Sequence, residues 1–362
     1  MSTPTAGSTT RAIPVLVTGA TGYVAGWIIK RLLEEGHHVH AAVRDPDRTD
    51  HLSHLRKLET GSSGTLTFFA SDLLVDGSYR DAMTGCEIVF HTASPFVLNP
   101  QEPQRDLAEP AKQGTINVLR EAVGTSSVKR VVLTSSYLAA NGDNADWDRK
   151  KKVAITEDDW NTTSSLGHQP YAYSKTIAER EAWRIAEAQE QWDLVTINPA
   201  FIMGPGINPN ATSESFNVIK NLANGKLASG LPNFGMVFVD VREVAEAHLR
   251  AAFRPEASGR YLVSGHNGFM PELGEILKTR FGQDGYPFPK RVLPKFAAWL
   301  VGPIVDKTIT RQFVARNVNH PIEVDASKSI KELGIVYRPL ADTMVDMFQQ
   351  LSDAGIVRPK KR

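Results

Sequence analysis

Apolar residues recur along this chain in two alternating rhythms. Short runs rich in β-branched and aromatic residues read as strands: IPVLVTG, HVHAAVR, TLTFFASD, EIVFHTAS, RVVLTSS and DLVTINPAF. Between most of them lie segments with helical spacing: GWIIKRLLEEG, SYRDAMTG, EPAKQGTINVLREAVG and SKTIAEREAWRIAEAQEQ. Strands that alternate with helices predict an α/β fold, a doubly wound parallel sheet joined by right-handed crossovers. Ligands in such folds bind outside the carboxyl ends of the strands, so chemistry is expected there.

The rhythm loosens after about residue 200. GPGINPNATSES reads as a loop, MVFVDVREVAEAHLRAAF as a strand followed by a helix, and GRYLVSG as another strand. From 270 onward the pattern is mixed, with short helices and an amphipathic LADTMVDMFQQLSDAG near the end. This divides the chain into a flexible Ser/Thr-rich tail (1–11), a doubly wound part (12–200 and 236–268), which the motifs below make the dinucleotide-binding one, and a smaller, mixed C-terminal lobe (201–235 and 269–362), left as the substrate lobe. The most lipophilic stretch, FAAWLVGPIV, is short and broken by Gly302 and Pro303; it reads as a buried helix end, with a patch for a partner or membrane surface as the alternative.

The string VTGATGYVAGW follows the first strand and opens the first helix. Gly19 can take the tight turn, and Gly22 lets the backbone approach a pyrophosphate. The helix amides behind them then face the phosphates, which makes Gly19, Thr21, Gly22, Tyr23 and Val24 cofactor candidates. The spacing is Gly-x-x-Gly-x-x-Ala, with Ala25 in the third slot, and it predicts a Rossmann-type dinucleotide site. The second strand ends AAVRDP. An acidic residue there would accept hydrogen bonds from ribose hydroxyls, whereas Arg44 suits a 2′-phosphate. NADP(H) is therefore the expected cofactor, with Arg48 as a second cation. ASDL places Asp72 and Leu73 at a strand end, where they could flank an adenine; a helix N-cap is the alternative for Asp72.

YAYSK, at 171–175, holds two tyrosines and one lysine. Residues four apart share a helix face and residues two apart do not, so Lys175 pairs with Tyr171 and leaves Tyr173 aside. A strand ending in the hydroxyls of Ser135 and Ser136 lies 35 residues earlier.

Together these motifs resemble the extended branch of the short-chain dehydrogenase/reductase superfamily, from Val15 to about Val336. AAVRDP, VFHTASPF, EPAKQGTINVL, VVLTSS and YAYSKTIAE look like dihydroflavonol reductases, cinnamoyl-CoA reductases and microbial ketone/aldehyde reductases of the methylglyoxal type. The resemblance implies a Ser–Tyr–Lys triad of Ser136, Tyr171 and Lys175, with Tyr171 and Lys175 also beside the nicotinamide ribose. It implies NADPH-dependent reduction of a ketone or aldehyde to an alcohol. It also places Pro199, in NPAF, at the nicotinamide, and Thr92, Ala93 and Ser94 beside the ribose and phosphate. Many superfamily members use an asparagine in the helix before the serine strand; the matching slot here holds Ala111. Phe96, Tyr137, Phe201 and Met203, near strand ends, are candidates for the substrate wall.

Bulk properties narrow the rest. The chain has 362 residues and a formal net charge of +1, so no global charge favours nucleic acid or an anionic membrane. One cysteine, Cys86, excludes an intrachain disulfide, fits a reducing cytoplasmic setting and reads as a buried structural thiol. No metal-ligand spacing appears, and no apolar run approaches bilayer length. A small-molecule carbonyl substrate and a monomer or homodimer are expected. Rivals on the same scaffold are a nucleotide-sugar epimerase and a steroid-type dehydrogenase; a non-catalytic NADP-binding regulator is a third reading, against which the full triad stands. Ser135-Ser136 after Thr134 departs from the acidic pair of sugar dehydratases.

Overall fold

The computed structural model of the protein describes residues 12–95, 100–150 and 152–359, apart from the side chains of 148–150. The tail 1–11 and Phe96 lie outside the described residues. The first half runs β1 (Pro14–Thr18), α1 (Tyr23–Glu34), β2 (His38–Val43), α2 (Thr49–Glu59), β3 (Thr65–Ala70), a short α3 (Arg80–Met83) and β4 (Ile88–His91). It continues with α4 (Glu109–Gly124), β5 (Arg130–Thr134), α5 (Ala145–Lys150), α6 (Pro170–Ala186) and β6 (Asp193–Pro199). The second half holds β7 (Phe201–Met203), α7 (Glu214–Asn224), β8 (Leu231–Pro232), β9 (Gly235–Asp240), α8 (Val241–Phe253), β10 (Gly259–Val263) and β11 (His266–Phe269). It closes with α9 (Pro271–Phe281), β12 (Val292–Leu293), α10 (Lys295–Val305), α11 (Arg311–Asn317), α12 (Ser327–Leu333) and α13 (Leu340–Asp353).

Seven strands form one sheet in the order β3-β2-β1-β4-β5-β6-β10, every pair parallel. This is the Rossmann-type sheet that the strand–helix alternation predicts. Side chains alternate across it as a strand requires. Val15 and Val17 enter a core shared with Ile28, Ile29 and Leu32 of α1 and with Val244 of α8. Leu16, between them, enters the opposite core with Ile116 and Leu119 of α4 and Ile185 of α6. Cys86 is buried in that second core, and burial pushes its thiol up to about 12, so it is a packing residue. α2 has no counterpart in the sequence reading. Only Leu52 and Leu55 of its eleven residues are buried, a stripe too thin to stand out among polar neighbours.

The second half is not simply an extension of the sheet. β10 completes its edge and α8 packs against α1, but β9 pairs with β7 and β11 in a separate three-stranded sheet. A third core, with Phe216, Phe238, Leu273, Met344 and Phe348, fills this lobe. α10 departs from expectation. Among its residues only Ala298 and Gly302 are buried, so FAAWLVGPIV is not a buried helix end.

The sheet order reverses between β1 and β4, and the two strand ends are tied together there. Thr92 Oγ1 donates to Thr18 O at 2.6 Å, and Ala93 N donates to Thr18 Oγ1 at 3.0 Å. Gly19 follows with φ +62°, and a Cβ on it would lie 2.9 Å from Ala93 Cα. Only glycine suits both the backbone angle and the approach. Gly19→Ala is therefore expected to cost about 1–2 kcal/mol from the left-handed conformation alone, with the Ala93 contact adding to it. Urea unfolding of the variant checks this; an unchanged midpoint would show that the turn relaxes without strain.

Candidate active site

The turn after β1 presents its backbone outward. Gly22 is the N-cap of α1, its N–H bonds Gly19 O at 2.8 Å, and the first helical turn carries no acidic residue. The helix N-terminus thus offers amides and a positive dipole end to an anion, with no acid in that turn to repel it. The Tyr23 side chain turns away, donating its hydroxyl to Gly204 O, so what it can offer a phosphate is its amide. Ala25 is buried, as helix–sheet packing asks of that slot.

Arg44 follows β2 and is exposed. Asp45 accepts a hydrogen bond from Asp47 N at 3.0 Å and so closes its own turn. Across from them Asp72 Oδ1 accepts from Leu74 N at 2.8 Å, a turn cap rather than a free carboxylate. Arg44 and Asp72 both act on the buried Tyr79, burial and Asp72 raising its phenol and Arg44 opposing them. Leu73 is held by α4, where Asn117 Nδ2 donates to Leu73 O at 2.9 Å. These features fit a dinucleotide bearing a 2′-phosphate: glycine turn, free helix amides, and a solvent-facing guanidinium at the second strand end.

Tyr171 stands in the first turn of α6. Pro170 takes the first helical position, where its fixed φ suits the helix, and Gln169 before it turns the chain with φ +55°. Lys175, one turn on, is buried, and its Nζ lies 5.8 Å from the centre of the Tyr171 ring. The same Nζ donates to Ser94 Oγ at 2.9 Å. Burial first, and then Tyr171, raises the Tyr137 phenol. Burial pushes the Tyr171 phenol up to about 12, although the residue keeps 38% of its surface open. Burial also lowers the Lys175 ammonium to about 8, against a smaller raising effect of Glu179. His91 is held neutral beside them, pushed down to about 3 by burial and then by the Lys175 charge.

The two serines after β5 are not equivalent. Ser135 donates its hydroxyl to Glu179. Ser136 accepts from Leu138 N at 3.2 Å, which leaves its own proton available. Neighbouring residues at a strand end point to opposite sides, and here one side is a buried carboxylate. The wall residues also separate: Tyr137 is largely buried on the turn after β5 that packs against α6, Phe201 is partly buried, and Met203 is fully buried in the core of the second lobe. Met203 is a packing residue, not a wall open to ligand.

Two buried networks frame α6, and sequence reasoning named neither. Glu179, one turn beyond Lys175, is 1% exposed. It pairs with Arg260 Nε of β10 at 2.6 Å and accepts from Asn198 Nδ2 of β6 at 2.6 Å. Asn198 Nδ2 also donates to Ser136 O at 3.1 Å. At the start of the helix, Asp143 accepts from His168 Nε2 at 2.9 Å, Gln169 Nε2 at 2.7 Å and Asn317 Nδ2 at 2.8 Å, and pairs with Arg316. Burial alone would raise the Asp143 carboxyl; the bonds from Asn317, Arg316 and His168 outweigh it and hold it below its usual range. A cavity of about 20 Å³, room for one water, lies between Ser94, Thr115, Thr134, Lys175 and Glu179. A larger open hollow of about 470 Å³ is lined by Trp147, Asn267, Phe269, Pro321 and Ile322.

Removing one partner of a buried ion pair strands the other. Glu179→Ala is expected to cost about 3–5 kcal/mol because Arg260 is left uncompensated. Replacing both Glu179 and Arg260 by apolar residues should cost less than the single change. Thermal unfolding of the two variants checks this, and a single variant as stable as the native chain contradicts it.

A family model described as the NAD dependent epimerase/dehydratase family matches residues 15–267. Cinnamoyl-CoA reductase CAD2 of Medicago truncatula is 35% identical over 344 residues, which cover 94% of this chain and 95% of that protein. Tetraketide alpha-pyrone reductase 1 of Arabidopsis thaliana is 34% identical over 343 residues, covering 94% and 96%. Among solved structures, yeast methylglyoxal/isovaleraldehyde reductase Gre2, complexed with NADPH, matches with a TM-score of 0.76 at 25% identity, over 95% of this chain and 100% of that one. The chain belongs to the NAD dependent epimerase/dehydratase family, the extended short-chain dehydrogenase/reductase group that its motifs resemble.

Proposed function

We propose that the protein is an NADPH-dependent carbonyl reductase, which converts a small ketone or aldehyde to an alcohol through Ser136, Tyr171 and Lys175. The observation that carries this reading is the juxtaposition of Tyr171 and Lys175 on one helix face, with Lys175 bonded to Ser94 at the neighbouring strand end. NADPH, when bound, supplies a hydride. The relatives, reductases with matches along nearly the whole chain, support the same class. The N-terminal amides of α1, behind Gly19, Thr21 and Gly22, would hold the pyrophosphate, and Arg44 the 2′-phosphate. Thr92, Ala93, Ser94 and Lys175 would flank the ribose, and Pro199 the nicotinamide.

Reduction puts negative charge on the carbonyl oxygen, and two groups of this chain can meet it. Tyr171 is protonated throughout the neutral range, since its phenol is raised, so it gives a proton to the oxygen. Ser136 donates a hydrogen bond to the same oxygen. Lys175, cationic below about pH 8, favours the phenolate that remains and so returns Tyr171 to a usable acidity. Tyr137 and Phe201 would bound the carbonyl's substituents. The part with the seven-stranded sheet would hold the dinucleotide, and the second lobe the substrate. An epimerase on this scaffold would retain its cofactor without net turnover, which separates it from a reductase by stoichiometry.

Steady-state kinetics of paired variants test the assignment. Tyr171→Phe should lose nearly all turnover and keep NADPH binding, while Tyr173→Phe stays active. Ser136→Ala should lose on the order of 10²–10³ in kcat, and Ser135→Ala should be affected mainly in stability. A dead Tyr173→Phe or Ser135→Ala enzyme beside an active partner variant would move the assignment. The pH profile gives an independent check. Because Lys175 must carry its charge, kcat/KM for reduction should fall as pH rises through about 8. Lys175→Arg should remove that limb, since a guanidinium does not deprotonate there; a limb that stays in place assigns it to another group.

A further inference from the structure

One surface is out of keeping with the rest of the molecule. Among the described residues, half of the exposed large apolar side chains fall between 292 and 305: Val292, Phe296, Trp299, Leu300, Val301, Ile304 and Val305. Phe296, Ile304 and Val305 keep 74%, 83% and 75% of their surface in water. Concentrated exposure of this kind marks an interaction surface. The helix itself is well seated. Ala298 packs with Val314 and Val318, and Gly302 abuts Ile309, so the exposed residues belong to a face directed outward.

Charge identifies the occupant. Between residues 285 and 320 there are six cations, Lys290, Arg291, Lys295, Lys307, Arg311 and Arg316, against one acid, Asp306. The segment is therefore net +5 in a chain of net +1, and the remainder is net −4. Arg316 is committed to Asp143 and Asp146, and Lys295 donates to Ala315 O. Lys290 and Arg291 remain exposed before α10, and Lys307 and Arg311 after it. Arg311 lies 4.5 Å over the Trp299 ring, which puts a cation at the edge of the apolar face. An apolar helix with Trp and Phe on its face and lysines and arginines at both ends is complementary to an anionic bilayer. Eleven residues make a helix of roughly 16 Å, about half a hydrocarbon core, so it can lie in the interface and cannot span. Two copies of this face would instead bring cation against cation, with only Asp306 to offset them.

We propose that α10 and its flanking cations dock the protein peripherally on an anionic lipid surface. The test is co-sedimentation of the full chain with vesicles of phosphatidylcholine alone and with a quarter phosphatidylglycerol. Pelleting with the anionic vesicles, weak pelleting with the neutral ones, and release at high salt are expected. Leu300→Glu/Ile304→Glu should lower the bound fraction roughly tenfold, with melting temperature and NADPH binding kept. Lys307→Glu/Arg311→Glu leaves the apolar residues in place and should also lower it, which keeps the test decisive should the first variant unfold. Three results overturn the proposal: no pelleting with anionic vesicles, equal pelleting of native chain and both variants, or a native dimer by light scattering that the Leu300→Glu/Ile304→Glu variant splits.

Discussion

Glu179 is a carboxylate with almost no contact with water, and its burial is the constraint on which the rest of the site depends. An ionised group in that position is tolerated only with a partner and with its oxygens hydrogen-bonded. Arg260 supplies the charge, and Ser135, Asn198 and Thr196 supply the bonds. Those partners come from β10, β6 and the end of β5, so one carboxylate on α6 fixes the relative position of three strands. The consequences reach the chemistry directly. Ser135 is turned inward, Asn198 holds the Ser136 carbonyl, and Lys175 sits one helical turn away. The Asp143 network does the same at the front of α6, where Gln169 and His168 enter it just before Tyr171. The helix bearing the candidate acid is thereby held at its start and again near its middle by charges removed from solvent.

What could be read from the sequence, and what could not, follows from range. The glycine turn, Arg44 and the Tyr171–Lys175 pair are local patterns whose geometry is set by a strand end or one helical turn. The choice of Ser136 over Ser135 rests instead on family likeness; no local pattern separates the two, and the Glu179 partner of Ser135 is a long-range contact. Glu179–Arg260 and Asp143–Arg316 join residues 81 and 173 positions apart, and no local pattern announces them. In the sequence Glu179 is one acid among several on a polar-looking helix, and Asp143 belongs to an unremarked Asn/Asp-rich loop. For Met203, proximity to a strand end does not say which way the side chain faces. It faces the core of the second lobe. α10 shows the reverse, since an apolar composition does not by itself imply burial. β9 follows from neither pattern: its strand rhythm is sound, but only pairing with β7 and β11 shows which sheet it joins.

The two halves of the molecule divide the task in physical terms. The seven-stranded sheet gives rigid strand ends, and the residues of the site stand on those ends or on the first turns of helices packed against them. The second lobe is bound to this frame through polar anchors as well as apolar contacts. Tyr23 and Trp27 of α1 donate to Gly204 and Pro205, and Asn144 joins Gly235 at 2.9 Å. Under the proposed reading, variation in the lobe would alter what is bound without disturbing what reacts. α10 projects from that lobe, far in composition from the charged surfaces around it.

Net hydride transfer to a carbonyl carbon can be followed by isotopic labelling. The protein is incubated with NADPH deuterated at the transferred position of nicotinamide C4 and with a panel of ketones and aldehydes, and the products are read by NMR. The account predicts one deuterium on the carbinol carbon of the alcohol, with one NADPH consumed for each alcohol formed. An alcohol without label on its carbinol carbon, or a cofactor that stays bound and is not consumed while the carbonyl compounds are recovered unchanged, would contradict it.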